Sequence, residues 1–391
     1  MQKIFDHHIE RRGTGSVKVD GLKEYFGTND LLPMWVADMD FPVPECVTRA
    51  IRERAGHPVY GYTLITPPFY QAIQSWLKTR HQWDVPAEWM VFAPGIVPAL
   101  SMSVIVYTDP GDKVLLQSPV YPPFFSSIRD NGREVVNNQL IEIDGKYAID
   151  FGDLEEKLSG GVKMMFFCSP HNPVGRVWTL QEMKQVVSLC RRYNVILISD
   201  EIHSDLVFPG HRHIPAACCV GESDNMVICM APSKTFNLAG LATAFMVIPD
   251  PALREKIKGL ISNLHLHHGN IFGMVALQAA YLEGSEWLDE LMKYLEENRD
   301  TVMNFFSSEL PLIRPVSLEG TYLIWLDCRE TGLNDLKLKK FFIREAGIAM
   351  NPGSSFGPGG TGYFRMNIGC PRSTLITVLE KIKDTWIRKK R

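Results

Sequence analysis

Residues 225–240, "NMVICMAPSKTFNLAG", run from five consecutive apolar residues, Met226 to Met230, straight into a proline, a serine and Lys234. A short apolar run closed by a turn signal reads as a strand buried on both faces, and such strands belong to parallel sheets. Four other stretches follow the same grammar: "EWMVFAPGIVPA" from 88, "KVLLQSPVYPPF" from 113, "KMMFFCSPHNPVG" from 163 and "VILISDEIHSD" from 195. Helical patterns separate them. In "TLQEMKQVVSLCRRYN", Leu180, Met183, Val186, Val187 and Cys190 recur at helical spacing. The alternation predicts an α/β domain around a mainly parallel, buried sheet. Ligands of such sheets bind beyond the carboxyl ends of the strands, so the five polar clusters are expected to converge on one crevice.

Past residue 285 the texture changes. A long helical stretch, "EWLDELMKYLEENRDTVMNFFSSEL", leads into "GTYLIWLDC", a further helix, "YFRMNIG" and a closing amphipathic helix that ends in "TWIRKK". This predicts a smaller α+β domain built from residues 1–49 and 286–391, beside a large domain over residues 50–285.

Composition narrows the class. The 391 residues are 45% hydrophobic and 22% charged, the balance of an ordinary globular chain. With 44 acidic against 41 basic residues, a formal charge of -3, no global field favours nucleic acid or a membrane surface. The one basic cluster, "IRKKR" at the end of the chain, reads as a solvated terminus. Eight cysteines show no CxxC pair, which suggests reduced thiols in a cytoplasmic protein. The opening "MQKIFDHHIERRGTG" carries charges where a signal peptide needs apolar residues, and no apolar run is long enough to span a bilayer.

The clusters contain a coherent chemistry. Lys234, an amine at a strand's end, condenses with a carbonyl if burial lowers its pKa, although most lysines simply snorkel. Asp200 follows "VILIS", where a carboxylate needs a cation or serves as a cap. Pyridoxal phosphate asks for both: a lysine for its aldehyde and a carboxylate for its ring nitrogen. Asn172, between two prolines, is either a donor to the ring's phenolate oxygen or a turn residue. In "APGIVPAL" the amides of Gly95, Ile96 and Val97 sit where a helix begins and are suited to a phosphate, with Ser233 adding a hydroxyl. Tyr121 either stacks on a ring or packs inside. Arg365, on one strand face with Tyr363 and Asn367, either grips a carboxylate or faces solvent.

These residues resemble a known family, the fold-type I pyridoxal-phosphate enzymes of the class I/II aminotransferase superfamily. Within it the chain is most similar to the MalY/PatB-type carbon–sulfur β-lyases, which include cystalysin and cystathionine β-lyases. The resemblance runs nearly end to end, through "WVADMDFP", "YGYT", "SPHNPVGRVW", "SDEIHSDL", "APSKTFNLAGL", "EGTYLIWLD" and the arginine strand. It implies the aspartate-aminotransferase-like fold. By the same resemblance Lys234 is the Schiff-base lysine, Asp200 the pyridinium partner, Asn172 the phenolate donor, Tyr121 the stacking tyrosine and Arg365 the carboxylate grip. Ala37 of "WVADMDFP" falls on a substrate-binding position. Tyr62 matches the tyrosine that reaches the phosphate of a neighbouring subunit, with Tyr60 the other register, so a homodimer with shared sites is implied. Aminotransferases usually place a tyrosine three residues after the aspartate. This chain has His203 there, as in the lyase branch, a candidate cofactor-binding residue that by itself reads equally as a loop histidine.

The expected activity is α,β-elimination of L-cystathionine or related cysteine S-conjugates to a thiol, pyruvate and ammonia. An aminotransferase is the alternative, and a protein-binding regulator with secondary catalysis is another. Two patterns invite misreading. "GPGGTG" (357–362) fits G-x-G-x-x-G but precedes a strand instead of a helix, so a mobile glycine loop near Arg365 is expected in place of a dinucleotide site. "HLHH" (265–268) and "HRH" (211–213) lack the spacing of a metal site.

Overall fold

The computed structural model describes residues 2–219 and 225–390; Arg391, the last of the basic run, lies outside them. Its largest sheet has seven strands: β1 Met90–Ala93, β2 Lys113–Leu116, β3 Glu134–Asn137, β4 Val162–Cys168, β5 Ile196–Asp200, β6 Met226–Met230 and β7 Ala244–Val247. Their spatial order is β1-β7-β6-β5-β4-β2-β3. β7 runs antiparallel to both its neighbours, and the other pairings are parallel. The register sets Cys168, Asp200 and Cys229 side by side at one edge. Three of the polar clusters are thereby brought level.

Alternate residues of these strands enter two separate cores. Leu116, Phe166, Ile198 and Val227 pack into one, while Leu115, Phe167, Leu197 and Ile228 pack into the other. A sheet buried on both faces reads as continuous apolar runs, which is why the strand pattern was plain in the sequence. Helix α1 (Ile96–Tyr107) follows β1, and α2 (Leu180–Arg192) follows β4. Thr179 and Glu182 form a reciprocal cap at the start of α2. Met183, Val186, Val187, Leu189 and Cys190 form its buried face. Leu180 belongs to the apolar pattern yet is exposed, because it opens the first turn before the stripe meets the sheet.

Helices α3 (Ile271–Glu283), α4 (Ser285–Glu309) and α5 (Arg372–Lys390) complete the chain with a second sheet. This sheet has strands β8 Arg314–Pro315, β9 Leu323–Asp327, β10 Asn351–Pro352 and β11 Tyr363–Asn367, antiparallel in the order β8-β9-β11-β10. Its residues Leu323 to Leu326 share a core with one face of the large sheet. The N-terminal segment joins here: Leu32 and Pro33 pair in parallel with Ile348 and Ala349. Arg365, central in β11, stands opposite Trp325 on one side and Asn351 on the other.

The glycines before β11 permit a close backbone crossing. A Cβ on Gly360 would lie 2.0 Å from the Gly353 carbonyl oxygen, and one on Gly353 would lie 2.1 Å from that of Gly360. Gly357 rests against the Phe125 ring, and Gly359 lies more loosely beside the Gln139 and Pro119 side chains. The loop is therefore closely packed where a mobile one was expected, and the dinucleotide pattern reflects backbone contact. Gly360→Ala should lower stability in urea unfolding by roughly 3 kcal/mol, since backbone and not a flexible side chain would have to move. An unchanged midpoint would show that the crossing is loose.

Candidate active site

The carboxyl ends of the strands enclose a cavity of about 280 Å³, and each of the five polar clusters contributes to its wall. Gly95, Ile96, Val97, Tyr121, Asn172, Asp200, His203, Ser233, Lys234 and Ala37 all line it. Arg365 stands behind Asn172. The structure thus gathers at this wall, directly or through Asn172, the residues given a role from the sequence, except Tyr62.

Lys234 lies in a single helical turn, Pro232–Thr235, directly after β6. Its Nζ donates to the Ala37 carbonyl at 2.7 Å. Burial draws its pKa down to about 8; Asp38 and Asp200 pull it upward, while Arg365 acts with burial. A substantial fraction of this amine is therefore neutral near physiological pH. Asp200 closes β5 and is buried, with one oxygen accepting from the Ile202 N–H at 3.1 Å. Burial lifts its pKa to about 7. Among the described residues no cation is ion-paired with it, so the carboxylate is poised to accept one.

Arg365 is 4% exposed, which removes the solvent-facing reading. Its Nη1 donates to Asn172 Oδ1 at 3.0 Å, and its Nη2 donates to the Trp35 carbonyl at 2.7 Å and to Asn351 Oδ1 at 2.8 Å. Its Nε has no partner, and its pKa is pushed down to about 10 by burial. A guanidinium held by neutral oxygens alone keeps its full charge for an incoming carboxylate. The bond to Asn172 also fixes that amide so that its nitrogen is the end left to donate.

His203 is buried with an unpartnered Nδ1. Burial, with Lys234 and Arg365 nearby, holds its pKa well below the usual histidine range, so the ring is neutral. Tyr121 is half-buried on the cavity wall, and burial raises its phenol pKa. Gly95 caps α1 at φ 152° and ψ 167°, a conformation essentially restricted to glycine. The first-turn amides of Ile96 and Val97 have no intrahelical acceptor, and Pro98 has no N–H to satisfy.

Tyr62 lies apart, 94% exposed, with its ring centroid 5.1 Å from that of His268. Tyr60 is tied down by a bond from its hydroxyl to the Ala55 carbonyl at 2.7 Å. His267 and His268 are adjacent, yet among the described residues no group of three or more His, Cys, Asp or Glu is placed to hold a metal. Among the same residues no helix is long and apolar enough to cross a membrane.

Two features escaped the sequence reading. The Ala37 carbonyl faces Lys234, and Tyr322 donates its hydroxyl to the same oxygen at 2.8 Å. "EGTYLIWLD" gives Tyr322 no signal beyond a buried strand; only the approach of two distant segments creates the contact.

Comparison with known proteins agrees with this geometry. The family model for aminotransferase class I and II matches residues 29–382. Cystathionine beta-lyase PatB of Bacillus subtilis (strain 168) is 45% identical over 381 residues, covering 97% of this chain and 98% of that protein. Protein MalY of Escherichia coli (strain K12) is 33% identical and covers 95% of each. The crystal structure of cystalysin from Treponema denticola, which contains a pyridoxal 5'-phosphate cofactor, superimposes with a TM-score of 0.94 at 35% identity over 99% of both chains. With the match of the family model over most of its length, the chain belongs to the class I and II aminotransferase family.

Proposed function

We propose that the protein is a pyridoxal-phosphate-dependent carbon–sulfur β-lyase that converts L-cystathionine or a related cysteine S-conjugate to a thiol, pyruvate and ammonia. One observation carries it: an amine with a lowered pKa and a buried carboxylate without a cation line one cavity, and a buried guanidinium without a carboxylate bonds to Asn172 in its wall. The 45% identity to a cystathionine β-lyase supports the lyase reading over the aminotransferase one.

The residues fit the cofactor. Lys234 has a neutral amine available for an aldehyde. Asp200, alone and desolvated, suits a protonated ring nitrogen, and the Ile96 and Val97 amides with Ser233 suit a phosphate. Asn172 Nδ2 would donate to the ring oxygen, and Tyr121, on the cavity wall, would offer a face for the ring to stack on. When bound, pyridoxal phosphate supplies an electron sink for a carbanion at the substrate's α-carbon.

Around that sink the chain orients and moves protons. Arg365 holds the substrate carboxylate through its free Nε and the guanidinium face left by Asn172. With its amine free and neutral, Lys234 would be the base that takes the α-proton onto Nζ. His203 stays neutral beside it, and burial together with the Arg365 charge favours the unprotonated form of Lys234. The thiolate leaves from the β-carbon; with a pKa near 8.5, like a cysteine's, it departs at neutral pH.

Tyr62 is assigned to the phosphate of a second copy. Its exposure and the tethering of Tyr60 support that register, and they support a homodimer with shared sites. The eight free thiols, seven of them buried, support a cytoplasmic setting.

Enzyme and L-cystathionine alone should give pyruvate and ammonia over many turnovers, followed by coupled lactate dehydrogenase and ammonia assays. A stall after one equivalent, relieved only by an added keto acid, would reassign the protein as an aminotransferase. A second expectation concerns pH. Condensation with the aldehyde needs the neutral amine, which accumulates as pH rises through the Lys234 pKa. The rate at which apoenzyme takes up pyridoxal phosphate, read by absorbance, should climb and then level off above about pH 8. A rise continuing toward 10.5 would mean an unperturbed lysine. Mixing Tyr62→Phe and Lys234→Ala subunits should restore activity above both parents, because one site per mixed dimer is intact. With subunit exchange verified by native mass spectrometry, no gain would place Tyr62 outside the site.

A further inference from the structure

Side chains from distant segments reach most of the carbonyl oxygens of the segment Trp35–Phe41. Arg365 takes Trp35, Asn367 takes Val36 at 2.6 Å and Asp38 at 2.7 Å, and Asn237 takes Met39 at 2.9 Å and Phe41 at 3.0 Å. Lys18 adds a second donor to Asp38 at 3.1 Å. The Ala37 carbonyl, in the middle, also receives two donors: Lys234 Nζ at 2.7 Å and the Tyr322 hydroxyl at 2.8 Å. Both its lone pairs are thus occupied. Tyr322 is 1% exposed, and its ring stands edge-on to His203 at 6.1 Å.

From this geometry we infer that Tyr322 is a positioning residue for Lys234: it holds the Ala37 carbonyl as the dock to which the lysine amine returns whenever it is not anchoring the cofactor. The inference rests on the reading of Lys234 as the cofactor lysine and catalytic base. An amine that donates one N–H to a fixed oxygen has its own lone pair directed away from that oxygen, ready to accept a proton. Asn367 bonds the carbonyls on either side of Ala37, so the peptide cannot rotate, and Tyr322 fills the remaining lone pair, so the amine has one docking direction. The tyrosine proton also withdraws charge from the oxygen, which weakens its hold on an ammonium more than on a neutral amine. Asp38 and Asp200 favour the ammonium by charge, while Arg365 disfavours it; His203 faces the amine as a neutral ring. The Tyr322 bond acts with Arg365 against the two carboxylates.

Tyr322→Phe keeps the buried ring and deletes only the hydroxyl. Competitive acetylation of the apoenzyme with acetic anhydride, read by mass spectrometry on the Lys234 peptide, measures how much of the amine is neutral at each pH. In the variant the midpoint should rise, with labelling at pH 7 about threefold slower than wild type, which corresponds to roughly half a pH unit. Replacement of Tyr322 by 3-fluorotyrosine, a stronger donor of nearly the same shape, should move the midpoint downward. In the holoenzyme, α-deuterated L-cystathionine should show a larger isotope effect on kcat for Tyr322→Phe, with KM little changed, because proton removal becomes slower. Unshifted labelling in both variants would overturn the proposal. So would a loss of activity that is equal at every pH with no change in isotope effect, which is what a purely structural tyrosine would give. The labelling needs neither cofactor nor turnover, so a failed lyase assay and a failed dock are told apart.

Discussion

Lys234 and Asp200 line one cavity and Arg365 stands just behind its wall, all three largely withdrawn from water, and among the described residues none is ion-paired with another. Removing such groups from water costs several kcal/mol each unless partners compensate. Here the partners are mostly neutral: a carbonyl for the lysine, amides and a carbonyl for the arginine, one backbone N–H for the aspartate. That incomplete compensation is what moves the three pKa values toward neutrality and leaves each group available to a ligand. The two hydrophobic cores and the doubly covered sheet must hold this arrangement in place.

The full compensation lies one layer out. Lys18 is 0% exposed, yet it meets Asp40 at 2.8 Å, and Arg11 forks onto both oxygens of Asp38 at 3.0 and 2.8 Å and reaches Asp40 at 2.6 Å. Two cations and two carboxylates balance in a compact cluster. It anchors the strap from Trp35 to Phe41 against the rest of the chain, and the strap presents its carbonyls to Arg365 and Lys234. Neutral electrostatics at the support therefore coexist with unbalanced electrostatics at the site. The large sheet supplies Asp200 and the turn that carries Lys234, the small sheet supplies Arg365, the residue just before β9 is Tyr322, and the strap links them.

Much of this was readable from local pattern. Five strands were visible because burial on both faces demands unbroken apolar residues. β3 and β7 were not: β3 is an edge strand with a half-exposed "EVVN", and β7 runs antiparallel to its neighbours, so the "PDP" that follows it lies at the opposite edge of the sheet from the converging clusters. Leu180 matched the helical period and is exposed, because period records spacing and not which turn reaches the sheet. The glycine loop misled for a related reason: composition reports conformational freedom, whereas the close approach of Gly353 and Gly360 depends on where two backbones cross.

By itself the sequence determined the residue types at the strand ends and hence the chemistry on offer: an amine, a carboxylate, an amide, a guanidinium and a glycine-led helix start. Those follow from short-range patterns of apolar run and polar stop, which the chain carries within a dozen residues. Only the tertiary structure decided that Arg365 is buried instead of solvated, that His203 is neutral, and that Ala37 and Tyr322 meet Lys234. Each of these depends on desolvation and contact between segments as far apart as residues 37, 234 and 322, and no local pattern encodes what surrounds a side chain once those segments close on one another.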